Sequence, residues 1–399
     1  VRLIAAVVAV AVVSVGAVTA YAIGDTLHSL KPSIHLVSAS GKTITPPTVG
    51  AESGAVNILL AGTDTRTGQG GQFSSSTELA GSSGAGNNDV TMILHLSADH
   101  QHATVISIPR DLMAPIPSCP TSSGASSAVD SGQFNTTLSI GGLSCVVLTA
   151  EQLTGLTIPY AAEISFDGVT AMSNAVGGVT VCLATAVTDP YVGLDLPAGE
   201  QTLVGAQALA FVRSRHGVGD GSDLGRISDQ QLFLSALLRK MTSAGVLSNP
   251  ITLYGLAKAA TSNIQLSDSL DSPTTLVSIA LALRSVPLSD FVFLQYPSMT
   301  DPDDVNRVVP EPTGVAVLKQ ALAADAPIQL TGTTGGATET APSTGAATAT
   351  PTPTATATGS ASTSAPTDAA TPTPTSTAVA LPSNVTGQTA AEQTCTKGN

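Results

Sequence analysis

The sequence predicts an α/β protein, and three observations carry that expectation. Val56–Ala61 is a continuous apolar run ending at Gly62, which suits a buried strand. Val90–Leu96 and Thr104–Ile108 are apolar runs rich in β-branched residues, joined by a polar connection containing S-A-D-H-Q-H, a hairpin pattern. Leu224–Met241 carries Ile227, Leu234, Leu238 and Met241 on one stripe, the signature of a helix with one face toward a core. These elements share a stretch of ~280 residues, long enough to bury a sizeable core.

Taken in order, the chain opens with Leu3–Ile23, an uncharged run that spans ~30 Å as a helix and so reaches across a bilayer core. An uncleaved transmembrane anchor is expected at 1–23, although Ala20-Tyr21-Ala22 also fits the small-x-small pattern of a cleavable signal peptide. Arg2 favours a cytoplasmic position for the short side, which places the remainder outside the membrane. Residues 24–50, with Lys31, Pro32, Pro46 and Pro47, read as a stalk, and residues 51–330 as the folded domain. Within it, 67–88 is a Gly/Ser/Gln-rich loop, while Leu148–Gly155, Gly168–Val176 and Gly205–Ala210 look helical. Val179–Leu183 and Ala208–Arg213 lie in apolar runs. Residues 331–380 are Thr, Ala, Pro, Ser and Gly with T-P-T-P repeats, a composition expected to stay disordered; 381–399 is a short segment carrying Cys395.

The four cysteines, Cys119, Cys145, Cys182 and Cys395, suit an exported protein with disulfides. Their spacing matches no zinc site, and three pairings are possible. Cys119 and Cys145 flank a Ser/Gly-rich loop and form the favoured bridge, closing a loop worth roughly 3 kcal/mol in the chain-entropy model. Cys182 with Cys395 would then staple the distal segment onto the domain.

Charge is the most specific signal. Between Lys42 and Arg239 there are five cationic side chains, all arginine: Arg66, Arg110, Arg213, Arg215 and Arg226, against sixteen acidic residues. A net charge of −13 with no basic patch argues against nucleic acid as a partner. Guanidinium matches phosphate oxygens two at a time, so arginines confined to a few short motifs point to a small phosphorylated ligand; structural ion pairs with nearby Asp are the alternative. If residues 96 and 103 close the hairpin, Asp89 faces Arg110 at its open end. Asp64 and Arg66 lie just past the 56–61 strand, where α/β sheets place their ligands. Asp223, Arg226 and Gln230 are spaced i, i+3, i+7 in the first turns of a helix, where free N–H groups favour an anion. Asp223 also qualifies as the helix N-cap. His95 reads as a packed histidine, His216 as a loop residue or an aid to the phosphate site, and Phe233 and Leu237 as core rather than pocket. No G-x-S-x-G occurs, so hydrolase chemistry has no independent support.

Several motifs recur together: N-I-L-L-A-G-T-D-T-R (57–66), N-D-V-T-M-I-L-H-L (88–96), V-I-S-I-P-R-D (105–111), A-V-G-G-V (175–179), L-P-A-G (196–199), A-L-A-F-V-R-S-R (208–215) and D-L-G-R-I-x-x-Q-Q (223–231). With F-N (134–135), G-G (141–142) and L-T-G (153–155), this series resembles the LytR–CpsA–Psr family, in its actinobacterial form, over roughly residues 55–320.

The resemblance implies a three-layer αβα domain with a central mixed β-sheet and an apolar pocket for a prenyl chain. It implies a membrane-anchored phosphotransferase that moves a glycopolymer from a polyprenyl-pyrophosphate carrier onto peptidoglycan and releases polyprenyl phosphate. Arg110, Arg213, Arg215, Arg226 and Gln230 would bind pyrophosphate. Asp64 and Asp89 would hold Mg²⁺ or Mn²⁺, and Arg66 and Asp223 would complete the site. The acceptor hydroxyl still needs a base, for which Asp64, Asp89 and Asp223 are all candidates. A prenyl-phosphate-binding or regulatory protein without turnover, or a pyrophosphatase using the same site, are the alternatives. Two departures stand out: Asn87 and Asp229 occupy positions where many relatives carry Arg.

Overall fold

The structure is a computed structural model that describes residues 32–37, 54–66, 86–243, 256, 258–260, 262–271, 273–341 and 377–399. The expected anchor at 1–23 lies outside these residues; among the described ones, no helix is long and apolar enough to cross a membrane.

The strands that position the site are β1 (Val56–Thr63), β2 (Asn88–Leu96), β3 (Ala103–Ile108), β4 (Tyr160–Ile164), β5 (Val179–Leu183), β6 (Val187–Asp189), β7 (Leu194–Leu196), β8 (Gly199–Leu203), β9 (Ile264–Leu266), β10 (Phe291–Gln295), β11 (Thr338–Thr340), β12 (Gly387–Thr389) and β13 (Thr394–Thr396). The helices are α1 (Thr137–Thr154), α2 (Phe166–Ala175), α3 (Ala206–Arg213), α4 (Asp223–Thr242), α5 (Pro273–Ser285) and α6 (Pro312–Ala323).

Seven strands form one mixed sheet in the order β9-β4-β1-β2-β3-β10-β12. β2 pairs antiparallel with β1 and β3, while β1–β4 and β3–β10 are parallel. Alternation along the strands sends successive side chains to opposite faces. Leu59, Ile93 and Ile106 join a core with Val146, Val147 and Ala150 of α1 and Leu318 and Leu322 of α6. Met92 and Val105 join a second core on the other face, with Ile279 and Ala282 of α5 and Leu234 and Leu238 of α4. Helices therefore cover both faces, and the β2–β3 register is the expected one, with Leu96 opposite Ala103. A smaller sheet, β8-β5-β13-β11, packs against α4.

Two disulfides form, the favoured Cys119–Cys145 and, of the pairings left open, Cys182–Cys395. Gly141 makes the first possible: a Cβ there would lie 2.9 Å from the Cβ atoms of both Cys119 and Cys145.

Two segment boundaries differ from expectation. In the segment read as a stalk, residues 32–37 lie against the domain: Ile34 donates its N–H to Leu266 O at 2.8 Å, its own carbonyl accepts from Asp268, and Leu36 is buried in the first core. The distal segment is also part of the fold. β12 extends the main sheet, β13 lies beside β5, and Thr338–Thr340 of the expected tail pairs with β13. Small residues such as these carry no core signature, yet their backbones pair once the Cys182–Cys395 bridge fixes a neighbour. Residues 342–376 of the tail lie outside the described ones.

Candidate functional site

The site lies at one end of the central strands of the main sheet, where β1 and β3 end and β2 begins. Arg110, two residues past β3, donates Nη1 to Asp89 Oδ1 at 2.6 Å, the pairing that the hairpin register predicts. Asp64 follows β1 and is held there by the chain opposite. Its Oδ1 accepts from the Asn87 N–H at 2.6 Å, and its own N–H donates to Asn87 O at 3.0 Å. Gly86 permits this closure, since its φ is +86° and a Cβ would lie 2.8 Å from Thr65 N. Asn87 thus contributes its backbone to the site, whatever its side chain lacks relative to Arg.

Helix α4 brings the second set of charges. Ser222, not Asp223, is the N-cap, accepting from Gly225 N at 3.2 Å. Asp223 is freed for Arg226, whose Nη2 lies 2.6 Å from its Oδ1. That contact lacks hydrogen-bond alignment: both Asp223 carboxylate oxygens are buried without a hydrogen-bond partner. Arg226 also donates to Asp89 O at 2.6 Å and stands 4.0 Å from Asp89 Oδ2, so one aspartate joins the hairpin to the helix. The ion-pair alternative is therefore partly realised, for Arg110 and Arg226. Gln230 donates to Val212 O at 2.9 Å and braces the end of α3, which carries Arg213.

Arg213 is the last residue of α3 and stacks over the Phe166 ring at 4.2 Å. Ser214 ends that helix and gives its hydroxyl to Asp189 Oδ2 at 2.8 Å. Arg215 follows in the loop. Burial, then the nearby Arg226 and Arg110, push its guanidinium down from its ordinary value, the sign of crowded positive charge. Arg110 goes the other way: burial opposes its charge, but Asp89, Asp111 and Asp223 outweigh that and raise it. Nε of Arg110, Arg215 and Arg226 are all buried without a hydrogen-bond partner. Of these, Arg215 and Arg226 line one cavity, and unbonded buried donors there suit an anion.

Beside these charges is a cavity of about 520 Å³. Asp89, Arg213, Arg215, Arg226 and Gln230 line it together with apolar side chains from β1, β2, α2 and α4. Phe233 is buried in a core cluster and Leu237 packs against it, as expected, and both also lie on the cavity wall. Asp64, Arg66, Arg110 and Asp223 do not line it; Arg110 and Asp223 reach it through their ion pairs. Asp229 does not line it either. It is fully buried on the far side of α4 and accepts from Thr396 Oγ1.

Three residues escaped the sequence reading. Asp111 accepts from Gln133 Nε2 at 2.6 Å and Arg307 Nη1 at 3.0 Å, anchoring the chain beside Arg110. Arg307 lies nearly two hundred residues away, so only the fold reveals the pair. Asp189, which carries no local sequence signal, is buried and accepts from Ser214 and Arg215. His95 is packed as expected, between Asn57 Oδ1 at 2.7 Å and Asp325 Oδ1 at 3.0 Å.

The fold and site thus define an αβα domain with an arginine-edged apolar cavity at the strand ends of its main sheet. The chain belongs to the LytR_cpsA_psr family, which it matches over residues 12–311. It is 32% identical over 267 residues to the cell wall biosynthesis protein LcpA of Corynebacterium glutamicum, covering 62% of this chain and 51% of LcpA. It is 34% identical over 253 residues to LcpB of the same organism, a probable cell wall biosynthesis protein, covering 62% and 58%. The chain thus spans little more than half the length of these two relatives. TagT of Bacillus subtilis, named a polyisoprenyl-teichoic acid–peptidoglycan teichoic acid transferase, is 26% identical over 296 residues, 72% of this chain and 83% of TagT. The fold resembles that of gbs0355 from Streptococcus agalactiae, with a TM-score of 0.54 at 20% identity over 68% of this chain and 87% of that one.

Proposed function

We propose that this protein is a phosphotransferase that moves a glycopolymer from a polyprenyl-pyrophosphate carrier onto peptidoglycan, releasing polyprenyl phosphate. The observation that carries this reading is a cavity lined both by apolar side chains and by Arg213, Arg215 and Arg226. An aliphatic tail and a pyrophosphate head need those two environments in contact. The names of its relatives, which include cell wall biosynthesis proteins and teichoic acid transferases, agree with it.

In the reaction, an acceptor sugar hydroxyl attacks the phosphorus that bears the glycan. The bond to the bridging oxygen breaks, and polyprenyl phosphate leaves with the electron pair. Phosphoryl transfer needs positioning and charge stabilisation more than covalent help. Arg213, Arg215 and Arg226 supply donors toward the equatorial and leaving oxygens. The hydroxyl proton goes to a carboxylate of the site, for which Asp64, Asp89 and Asp223 are the candidates; Asp89, the one that lines the cavity, already has Oδ1 bonded to Arg110.

The donor set also fits a hard divalent cation. Arg110 occupies Asp89 Oδ1, while Oδ2 is approached by Arg226 only at 4.0 Å, leaving an oxygen for Mg²⁺ or Mn²⁺ shared with Asp64. Such an ion would neutralise charge on the pyrophosphate. Among the described residues no group of three or more His, Cys, Asp or Glu forms a self-sufficient cage, in keeping with an ion that arrives with its substrate. Two disulfides and the apolar run at Leu3–Ile23 support a membrane-anchored domain on the oxidising side of the membrane.

The test is turnover by the full chain in lipid nanodiscs with a polyprenyl-pyrophosphate-linked oligosaccharide and peptidoglycan. Release of polyprenyl phosphate together with a glycan–peptidoglycan phosphodiester is expected. Tight donor binding with no release would assign a binding role, and release with free sugar phosphate a pyrophosphatase.

A further inference from the structure

Tyr191 is the most exposed aromatic ring near the site, 78% exposed in a chain with no tryptophan and few aromatics. It sits in the turn between β6 and β7 and lines the same cavity as the arginines. Its ring lies 4.3 Å from that of His216, tilted by 36°, and His216 directly follows Arg215. The two rings form one surface beside the charge cluster.

This surface is built rather than incidental. Asp189 is fully buried at the end of β6. Its Oδ1 accepts from Tyr191 N at 3.1 Å, and its Oδ2 from Ser214 Oγ at 2.8 Å, Arg215 N at 3.1 Å and Gly217 N at 3.3 Å. Burial would raise this carboxyl, but the four donors outweigh it and hold it below its ordinary value, so it stays charged and bonded. Gly217 allows the close approach, since a Cβ there would meet Asp189 Cβ at 2.8 Å. One carboxylate therefore fixes the Tyr191 turn and the Arg213–Gly217 loop to each other.

An exposed aromatic face costs solvation unless something covers it, and Tyr offers a rigid, amphipathic surface at low entropic cost. A prenyl tail needs no exposed ring, because the apolar side chains of the cavity suit it. A phosphate gains nothing from a π face. A pyranose ring does: its axial C–H face packs on an aromatic ring while its hydroxyls remain in water. The geometry points to Tyr191 and His216 as a sugar-stacking subsite for the pyranose next to the pyrophosphate, with Asp189 as its positioning residue. This rests on the phosphotransferase reading and deepens it. The ring is either the first sugar of the donor glycan or the acceptor sugar of peptidoglycan.

The test uses the full chain in nanodiscs as wild type, Tyr191→Ala and Tyr191→Phe. Three quantities are measured: affinity for sugar-free polyprenyl pyrophosphate, affinity for N-acetylglucosaminyl polyprenyl pyrophosphate, and KM for a soluble peptidoglycan fragment. Tyr191→Ala is expected to weaken one sugar-dependent quantity roughly 5- to 10-fold, with sugar-free affinity unchanged and Tyr191→Phe within about 2-fold of wild type. A loss confined to the sugar-bearing lipid assigns the donor ring, and a raised KM alone assigns the acceptor ring. Three unchanged quantities, or equal weakening of both lipids, would overturn the subsite while leaving the phosphotransferase reading standing. Wild type that binds neither lipid would remove that reading first.

Discussion

Thr396 donates its hydroxyl to Asp229 Oδ1 at 2.8 Å, tying the buried back of α4 to β13. Burial pushes the Asp229 carboxyl well above its ordinary value of 3.8, against the bond from Thr396, and its Oδ2 has no hydrogen-bond partner. The folded state thus keeps a proton that the unfolded chain releases. Stability from this group is full below about pH 3.8 and is lost as pH rises toward the raised folded value. Asp229→Asn retains an acceptor for Thr396 and removes the titration. Its Tm at neutral pH is expected to exceed that of wild type, with a smaller decline from pH 4 to 8 in thermal scans. Identical pH profiles would exclude Asp229 as a source of pH dependence.

The arginines should divide into two kinds. Arg213→Ala and Arg215→Ala are expected to lower affinity for polyprenyl pyrophosphate about 10- to 100-fold each, from the loss of charge-assisted hydrogen bonds, with little change in Tm. Arg226→Ala also strands the buried Asp223 carboxylate and removes the donor to Asp89 O, and should destabilise the fold by about 3–5 kcal/mol in urea unfolding. Equal stability losses for all three would mean that none is reserved for ligand.

Chelation separates binding from turnover. With EDTA, transfer is expected to fall to background and to return on addition of Mg²⁺ or Mn²⁺, while lipid remains bound through the arginines. Asp89→Asn should abolish transfer at every metal concentration. Full activity in EDTA would remove the metal assignment of Asp64 and Asp89.

The Cys182–Cys395 bridge joins residues 213 apart. Cys395→Ser is expected to cost about 2–5 kcal/mol against oxidised wild type and to match reduced wild type, which has lost the same bridge. Its transfer activity should fall through loss of folded protein, since neither cysteine lines the cavity. A variant as stable as oxidised wild type would show that strand pairing alone holds β13.

Much of the site's frame was legible because it rests on local periodicity. The Asp89–Arg110 pair follows from strand alternation and hairpin length, and the Asp223–Arg226–Gln230 face from helical spacing. What local pattern could not show is whatever distant chain decides. Phe233 and Leu237 have the same apolar signature whether they face a core or a cavity. Tyr191 has no sequence mark at all; its place depends on Asp189 reaching Ser214 and Arg215 across the gap between β6 and α3. Asp229, which looked like a change in the site, proved to face β13. The tail's composition hid Thr338–Thr340, whose pairing depends on backbone alone.

β12 lies at the edge of the seven-stranded sheet and β13 at the centre of the four-stranded one, between β5 and β11. During synthesis, β10 and β5 therefore present bare backbone edges until residue 396 has left the ribosome, some hundred residues after β10 was made. Such edges are templates for pairing with the wrong chain. The nascent domain would need an escort through that interval, and a ribosome stalled within residues 342–376 would leave a polypeptide that has every site residue and lacks β12 and β13.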